Sequence, residues 1–290
     1  MFDTCDKCGY GVCTHLLLAK VQPDLRRQLC FQTKISMTVR MLMCLLLFAS
    51  PTCFSGEIED VLTRAGLVES KIPTGDAWTA ANHALVDYVI ADDAEQLAIK
   101  EVKNFRQRQD TKVTFNGKAF IGANRGEWGG NLSIVDPDGT AHILIRDNIV
   151  QLIQEKDELF VFTGLAHLGS AQGAIYKVTR GQEDVNTEKV TLLPGAPEVV
   201  AVERNDSGYF AFLVVTNDGL VSFSPKFFGM KVLAIDQFWH GLYPNSARML
   251  DSQLIIGMRS GVAVVSMGQN IGMGSGRRVT KIRYFSKKAQ

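Results

Sequence analysis

Cysteine is missing from most of this chain. All six cysteines lie within the first 53 residues, at Cys5, Cys8, Cys13, Cys30, Cys44 and Cys53, and residues 54–290 contain none. A domain held together by disulfide bonds would carry cysteines throughout its folded body, so the sequence excludes that class of secreted fold. A body free of cysteine does suit a protein that is exported through an oxidising compartment.

A strong charge of one sign and the familiar catalytic motifs are also missing. The net charge is +1 and the body of the chain has no basic run, so no electrostatic argument supports nucleic-acid binding. Residues 57–290 contain no G-x-S-x-G, HExxH, P-loop or paired CxxC motif. The spaced glycines of residues 268–276 precede no helix, which a phosphate-binding loop needs. The sequence therefore predicts no cofactor, no metal ion and no assignable catalytic residue.

Long apolar runs are scarce as well. The run Met41–Ala49 is too short to span a bilayer, which takes about 20 residues. Arg40 precedes it and Ser55 follows it, which is the layout of a secretory signal peptide. We therefore interpret residues 37–56 as a signal peptide and expect a periplasmic or secreted protein with no stable membrane span. A buried helix and a lipoprotein anchored at Cys53 are the alternatives, although Ser50-Pro51-Thr52 does not resemble a lipobox.

Residues 1–36 would then lie upstream of the true start, with Met37 or Met41 initiating translation. This segment contains Cys5-x-x-Cys8-x4-Cys13-x-His15, whose side chains are of the types that bind zinc. No flanking segment offers a fold that would hold the metal. We therefore predict a disordered extension rather than a metal site.

The second half of the chain repeats itself. A glycine followed by an apolar strand recurs at Gly130, Gly173, Gly219 and Gly261, in steps of 43, 46 and 42 residues. Each repeat opens with a predicted hairpin, of which the clearest joins Lys112–Phe115 to Lys118–Gly122 through Asn116-Gly117. The fourth strands are predicted at His142–Ile145, Lys189–Leu193, Val232–Ile235 and Thr280–Phe285. A period in the 40s is typical of four-stranded propeller blades.

Residues 112–288 therefore resemble β-propeller repeat proteins, although they lack the Gly-His…Trp-Asp signature of WD40 blades. The resemblance implies an all-β, β-propeller-like fold with four four-stranded blades of about 44 residues each. Phe210–Val215 is apolar at nearly every position, which indicates a strand buried on both faces. A β-sandwich is the alternative.

Residues 57–111 follow a different pattern and predict a small α/β segment. Glu57–Ala65 predicts a short helix, Ala84–Ile90 a strand, and the apolar spacing after Asp93 a second helix. The segment is too short for a separate enzyme domain. We expect it to cap the propeller or to supply a partial fifth blade.

The main candidate site is the loop of residues 124–130, where Arg125, Glu127 and Trp128 stand among glycines that allow close approach of a ligand. Because the repeats are equivalent, the corresponding loops should lie on the same face. They add His167, Asp218 and Arg259 to a predicted ring at the mouth of the channel. The structural alternatives are that Trp128 fills the gap between two blades and that Asp218 only forms a turn.

His240 completes the predicted ligand-binding residues. It follows Phe238 and Trp239 in an aromatic connector between the third and fourth repeats. Such a connector can stack on a sugar or a peptide, or it can pack between blades. The sequence leaves both interpretations open.

From these features we expect an exported, non-enzymatic binding protein that recognises a protein or a cell-envelope glycan through the loop face of a β-propeller. We expect it to be a monomer. The alternative function is a propeller hydrolase or lyase that uses a Glu127–His167–Asp218 ring at the channel mouth, since such a ring can serve acid–base catalysis.

Overall fold

A computed structural model describes residues 56–93, 96–103, 110–181, 185–227, 229–269 and 277–288. The predicted upstream extension, its Cys/His cluster and nearly all of the predicted signal peptide lie outside these residues. In the described part of the chain, no helix has the length and apolar character needed to cross a membrane.

Four antiparallel sheets follow one another along the chain, each built from four consecutive strands that pair in sequence order. Blade 1 consists of β4 (Thr111–Phe115), β5 (Lys118–Asn124), β6 (Gly130–Val135) and β7 (Ala141–Ile145). Blade 2 consists of β8 (Ile149–Glu155), β9 (Glu158–His167), β10 (Ser170–Arg180) and β11 (Val185–Leu193). Blade 3 consists of β12 (Pro197–Arg204), β13 (Phe210–Thr216), β14 (Leu220–Ser224) and β15 (Gly229–Ala234). Blade 4 consists of β16 (Ser246–Leu250), β17 (Gln253–Met258), β18 (Gly261–Gln269) and β19 (Arg277–Lys287).

Neighbouring blades pack face to face, and β13 shows this most clearly. Phe212 and Val214 point into a buried cluster shared with Phe160 and Phe162 of blade 2, and the rings of Phe162 and Phe212 meet edge to face at 5.0 Å. The alternate residues of β13 point the other way, into a cluster shared with Leu254 of blade 4. A strand buried on both faces belongs to stacked blades rather than to a two-layer sandwich. The predicted β-propeller-like fold is confirmed.

Gly130 and Gly261 begin the third strands of their blades, Gly219 directly precedes one, and Gly173 is the fourth residue of β10. At each of them, backbone near the end of the fourth strand or just beyond it passes so closely that no Cβ fits. A Cβ would lie 2.8 Å from the carbonyl oxygen of Asp147 at Gly130, 2.6 Å from that of Gly195 at Gly173, and 2.6 Å from that of Ala234 at Gly219, while the oxygen of Phe285 crowds Gly261. The period in the sequence therefore reflects a close approach of two backbone segments that recurs in each blade and leaves room only for glycine.

The N-terminal segment begins with helix α1 (Gly56–Arg64), strand β1 (Leu67–Ser70) and helix α2 (Gly75–Asn82). Strands β2 (Val86–Asp93) and β3 (Gln96–Lys103) then form a two-stranded sheet beside blade 4. The backbone N–H of Ser260 donates to the carbonyl of Val86 at 2.9 Å. This sheet, which we call the half-blade, contacts β16, β17 and β18 of blade 4 through β2, and β1 extends blade 4 by pairing with β19.

The prediction of a helix after Asp93 is wrong, because Gln96–Lys103 forms strand β3. Its apolar residues can satisfy a helical spacing or an alternating one. Pairing with β2 places Leu97 and Ile99 on the face that packs against Ile58 and Leu62 of α1. Tertiary packing therefore decides between the two periodicities.

Candidate functional site

The loops between second and third strands lie on the same face of the protein as the connectors that join one blade to the next. Hydrogen bonds tie the loops of blades 1 and 3 to connectors: the N–H of Arg125 donates to Asn148 Oδ1 at 3.0 Å, and that of Gln237 to the carbonyl of Asp218 at 2.8 Å. We call this side the connector face. All seven residues that the sequence singles out lie on it.

The loop of blade 1 holds Trp128 on a compact 3-10 turn, Gly126–Trp128. Gly126 and Gly129 have positive φ values of 61° and 79°, which glycine adopts readily. The turn is closed by a bond from the N–H of Arg125 to the carbonyl of Gly129 at 3.0 Å, and Asn148 Nδ2 donates to the carbonyl of Gly126 at 2.7 Å. The backbone is therefore held in place while Trp128 is 83% exposed. Trp128 does not fill the gap between blades.

Glu127 and His167 meet across blades 1 and 2. The carboxylate Oε2 of Glu127 lies 3.2 Å from His167 Nε2, and both side chains remain roughly half-exposed. His167 ends β9, so the contact joins the blade 1 loop to the neighbouring hairpin. The structure thus brings Glu127, Trp128 and His167 together, with Arg125 exposed beside them.

Leu168 belongs to the same surface, and the sequence analysis missed it. It follows His167 in the turn between β9 and β10, has a φ of 48°, and is 92% exposed. A left-handed conformation costs a residue with a Cβ about 1–2 kcal/mol, and an exposed leucine gains nothing from folding. The fold alone does not explain this residue. A leucine directly before the glycine of a two-residue hairpin turn is the signal that reveals it.

Asp218 and Arg259 do not join this group. Asp218 lies on blade 3, where Thr216 Oγ1 approaches its Oδ1 at 3.5 Å, and no hydrogen bond or ion pair among the described residues links it to Glu127 or His167. Arg259 Nη1 donates to the carbonyl of Asn82 at 2.7 Å, and its guanidinium lies 4.3 Å from the centre of the Tyr243 ring. These contacts secure α2 and the last connector. The residues of the predicted ring therefore lie on one face of the protein, but Asp218 and Arg259 do not contact Glu127 or His167.

The aromatic connector around His240 is mainly structural. Trp239 is fully buried and its Nε1 donates to the carbonyl of Thr216 at 3.2 Å. Phe238 packs edge to face against Trp239 and against Tyr284 of blade 4. The His240 side chain is exposed, while its carbonyl accepts a bond from Trp78 Nε1 at 3.1 Å. Phe238 and Trp239 therefore pack between blades rather than forming an exposed surface for a sugar or a peptide.

A buried carboxyl group lies behind the same connector. Asp87 of the half-blade is 5% exposed and forms a β-bridge with Arg259. Burial raises the pKa of the Asp87 carboxyl above its ordinary value, and the nearby Arg259 guanidinium partly offsets that rise. The pair joins the half-blade to blade 4.

A pocket of about 450 Å³ lies between the first strands of blades 2, 3 and 4 and strand β2. The side chain of Gln151 on β8 joins blade 2 to blade 3. Its Oε1 accepts from the N–H of Val200 at 2.9 Å, and its Nε2 donates to the Val200 carbonyl at 3.0 Å. Arg204 and Glu155 form an ion pair at one end. Across the described residues, no group of three or more His, Cys, Asp or Glu side chains is placed to hold a metal ion.

No protein-family model matches the chain, and no curated protein matches it in sequence. Solved structures that resemble it include a luciferin-regenerating enzyme (8% identity, TM-score 0.39, covering 70% of this chain and 78% of that one). They also include a GH43 glycoside hydrolase (8%, 0.33, 73% and 43%) and an α-L-arabinanase from Penicillium chrysogenum (10%, 0.30, 70% and 86%). The chain thus spans less than half of the GH43 hydrolase. Similarities this low support no statement about function, and the fold is assigned from its own sheets.

Proposed function

We propose that the protein is an exported, non-enzymatic binding protein. It recognises its partner through a surface made of Arg125, Glu127, Trp128, His167 and Leu168, which we call the recognition surface. The observation that carries this proposal is the exposure of Trp128 and Leu168 on either side of the Glu127–His167 contact. Neither apolar side chain contributes to the core, so their placement has another use.

The chemistry of this surface suits binding. Tryptophan and arginine are the residues most often found at the energetic centre of protein interfaces. The hydrogen-bonded turn that carries Trp128 is already fixed, so little conformational freedom remains to be lost when a partner binds. A protein or a cell-envelope glycan offers the apolar face and the hydrogen-bonding groups that such a surface needs.

Export is proposed from the signal-like segment 37–56 and from the absence of cysteine after Cys53. The mature protein should then begin near Gly56 or Glu57. N-terminal sequencing of the protein purified from its own cells tests this, and an intact Met1 start would reject export.

Quenching of tryptophan fluorescence tests the recognition surface. The chain has three tryptophans, and Trp78 and Trp239 are half-buried and buried, so acrylamide should quench Trp128 first. Cell-envelope protein and cell-envelope glycan fractions are added separately as probes. A binding fraction should protect Trp128 from acrylamide, and the Trp128→Phe variant serves as the matched control. The component of the acrylamide quenching that is lost in Trp128→Phe belongs to Trp128. If neither fraction changes that component, the recognition surface is rejected.

The Glu127–His167 contact is also the one observation that favours a hydrolase or lyase. Against it, the pair is open to water, and Asp218 does not reach it. Fragments of cell-envelope glycans are suitable trial substrates. Turnover that is lost in both Glu127→Gln and His167→Gln would establish the enzyme and overturn the binding proposal.

A further inference from the structure

The pocket between the first strands of blades 2, 3 and 4 is bounded by open strand edges. In the described part of the chain, β8, β12 and β16 each pair on one side only, with the second strand of their own blade. Their other edges line the pocket, so the backbone N–H and carbonyl groups on those edges have no neighbouring strand to bond to. The volume of about 450 Å³ lies within the range of small-ligand sites, about 300–1,000 Å³.

The side chain of Gln151 shows which chemical group fits the open edge of β12. Its carboxamide satisfies both backbone groups of Val200, accepting from the N–H at 2.9 Å and donating to the carbonyl at 3.0 Å. A carboxamide can do this because it carries an acceptor and a donor side by side. Gln151 therefore takes the place that a neighbouring strand would fill.

Val202 offers the same two groups further along β12. The backbone groups of alternate residues point to the same edge of an antiparallel strand, and β12 pairs with β13 without a register shift from Val199 to Arg204. The N–H and carbonyl of Val202 therefore point to the same side as those of Val200, and Val202 lines the pocket. Among the described residues, no side chain bonds to either group.

The rest of the pocket suits an apolar group beside such a carboxamide. Ile90 of β2, Ile153 of β8 and Met249 of β16 belong to its lining. Arg204 lines it too, at the end of β12 away from the connector face, and its side chain is 60% exposed, so a ligand can enter there. The charge of Arg204 is already engaged by Glu155.

We propose that this pocket binds a carboxamide-bearing ligand. The ligand's carbonyl accepts from the Val202 N–H, its own N–H donates to the Val202 carbonyl, and its apolar part packs against Ile90, Ile153 and Met249. A carboxylate cannot make both bonds, because it only accepts. A small primary amide and the backbone of an extended peptide segment both carry the required pair of groups. The site is separate from the recognition surface, so it does not depend on the proposed function.

Titration of the isotope-labelled full-length protein with amides tests the site, with the chemical shifts of backbone N–H groups as the readout. Benzamide should shift the Val202 N–H signal in a saturable way. Benzoate, which has the same shape but no donor, should bind at least about tenfold more weakly. N-acetylvaline N-methylamide represents a peptide segment. Preferential binding of one of the two amides assigns the source of the carboxamide.

Two variants separate the Val202 backbone from its side chain. Val202→Pro removes the N–H that points to the open edge, where proline leaves the β12–β13 ladder intact, so benzamide should no longer shift the signals of Ile153 and Met249. Val202→Ala keeps the N–H and is the matched control, in which these shifts should remain. Melting temperatures show whether both variants are folded.

Gln151→Ala provides an independent measurement. It exposes the N–H and carbonyl of Val200, so benzamide should then shift the Val200 signal as well as that of Val202. A Val200 signal that responds in this variant while Val202 stays silent in the wild type would show that the pocket does not admit the ligand, and would reject the inference.

Silence of Val202 with both amides overturns the inference, as does binding of benzoate as tight as that of benzamide. Binding that persists in a folded Val202→Pro variant also overturns it. Shifts confined to the recognition surface would place the amide there and reject the pocket. None of these results changes the acrylamide quenching of Trp128 by cell-envelope fractions, so the proposed function is tested separately.

Discussion

Two aromatic segments on the connector face carry a tryptophan, and the two tryptophans do opposite things. Trp128 projects from the loop of blade 1 and is 83% exposed, whereas Trp239 in the connector before blade 4 is fully buried. Each has a glycine and a carboxylate within three residues along the chain, although only Trp239 has other aromatic residues beside it. The difference arises from what surrounds each side chain. Trp239 packs against Phe238 and the core residues of blade 4, and its Nε1 donates to the Thr216 carbonyl. Among the described residues, the backbone hydrogen bonds around Trp128 are to its own loop and to Asn148. Exposure of an aromatic residue is therefore a property of its neighbours.

The largest effect should come from truncating the buried member of this pair. Trp239→Ala removes a filled core position and the bond to the Thr216 carbonyl, so the free energy of unfolding should fall by about 3–5 kcal/mol. Chemical denaturation measures the change. A loss below about 1 kcal/mol would show that the connector does not pack as described.

A smaller effect is expected from Gly129→Ala in the exposed loop. Gly129 has φ 79° and ψ −171°, a region that is essentially restricted to glycine, so the substitution should cost about 1–3 kcal/mol. It should also weaken partner binding, because the turn that presents Trp128 is distorted. Gly117→Asn, at a positive-φ turn on the opposite face, is a suitable control. Unchanged binding in Gly129→Ala would mean that the turn does not position Trp128.

The buried side of the connector should respond to pH through Asp87. The folded protein holds the Asp87 proton to a higher pH than the unfolded chain does, because burial raises the pKa of this carboxyl. Its contribution to stability therefore falls as pH rises from the unfolded pKa through the folded pKa, and is constant above that. Asp87→Asn removes the titration. The free energy of unfolding of the wild type, minus that of the variant, should decrease with rising pH across this window, and a flat difference would contradict the assignment.

The smallest stability effect should come from the contact at the recognition surface. Glu127 and His167 are both about half-exposed, and exposed ion pairs contribute about 0.2–1 kcal/mol. A double-mutant cycle with Glu127→Ala and His167→Ala measures their coupling in the free energy of unfolding. A coupling well above this range would show that the contact supports the fold rather than the surface.

The sequence alone predicts the blades because their signals are local. Asn116-Gly117 forms the expected hairpin turn, with positive φ values of 50° and 76° at its two residues. Three of the four glycines lie where third strands begin and Gly173 lies three residues further on, and in each blade the backbone near the end of the fourth strand passes close to the glycine. The outer strands β11, β15 and β19 are longer than predicted, since their polar residues give no alternating signal.

The site is harder to predict because the contacts of its side chains are made by residues that lie far away in the sequence. Arg259 is held by the carbonyl of Asn82, and Trp78 bonds to the connector around His240. No local pattern reveals such contacts. The equivalence of the loops predicts Glu127 and His167 in one ring, but only the packing of blades 1 and 2 shows that these two side chains touch. The signal for Leu168, a leucine directly before the glycine of a hairpin turn, becomes visible only once the bounds of β9 and β10 are known.

Trp128→Ala tests the central claim, that the connector face is a binding surface, most directly. An exposed side chain contributes little to folding, so the free energy of unfolding should change by no more than about 0.5 kcal/mol, while partner binding is lost. Denaturation and binding of the cell-envelope fractions, measured on the same preparation, give both numbers. A loss of about 3–5 kcal/mol in stability, as expected for a buried tryptophan, would contradict the account and withdraw Trp128 as a recognition residue.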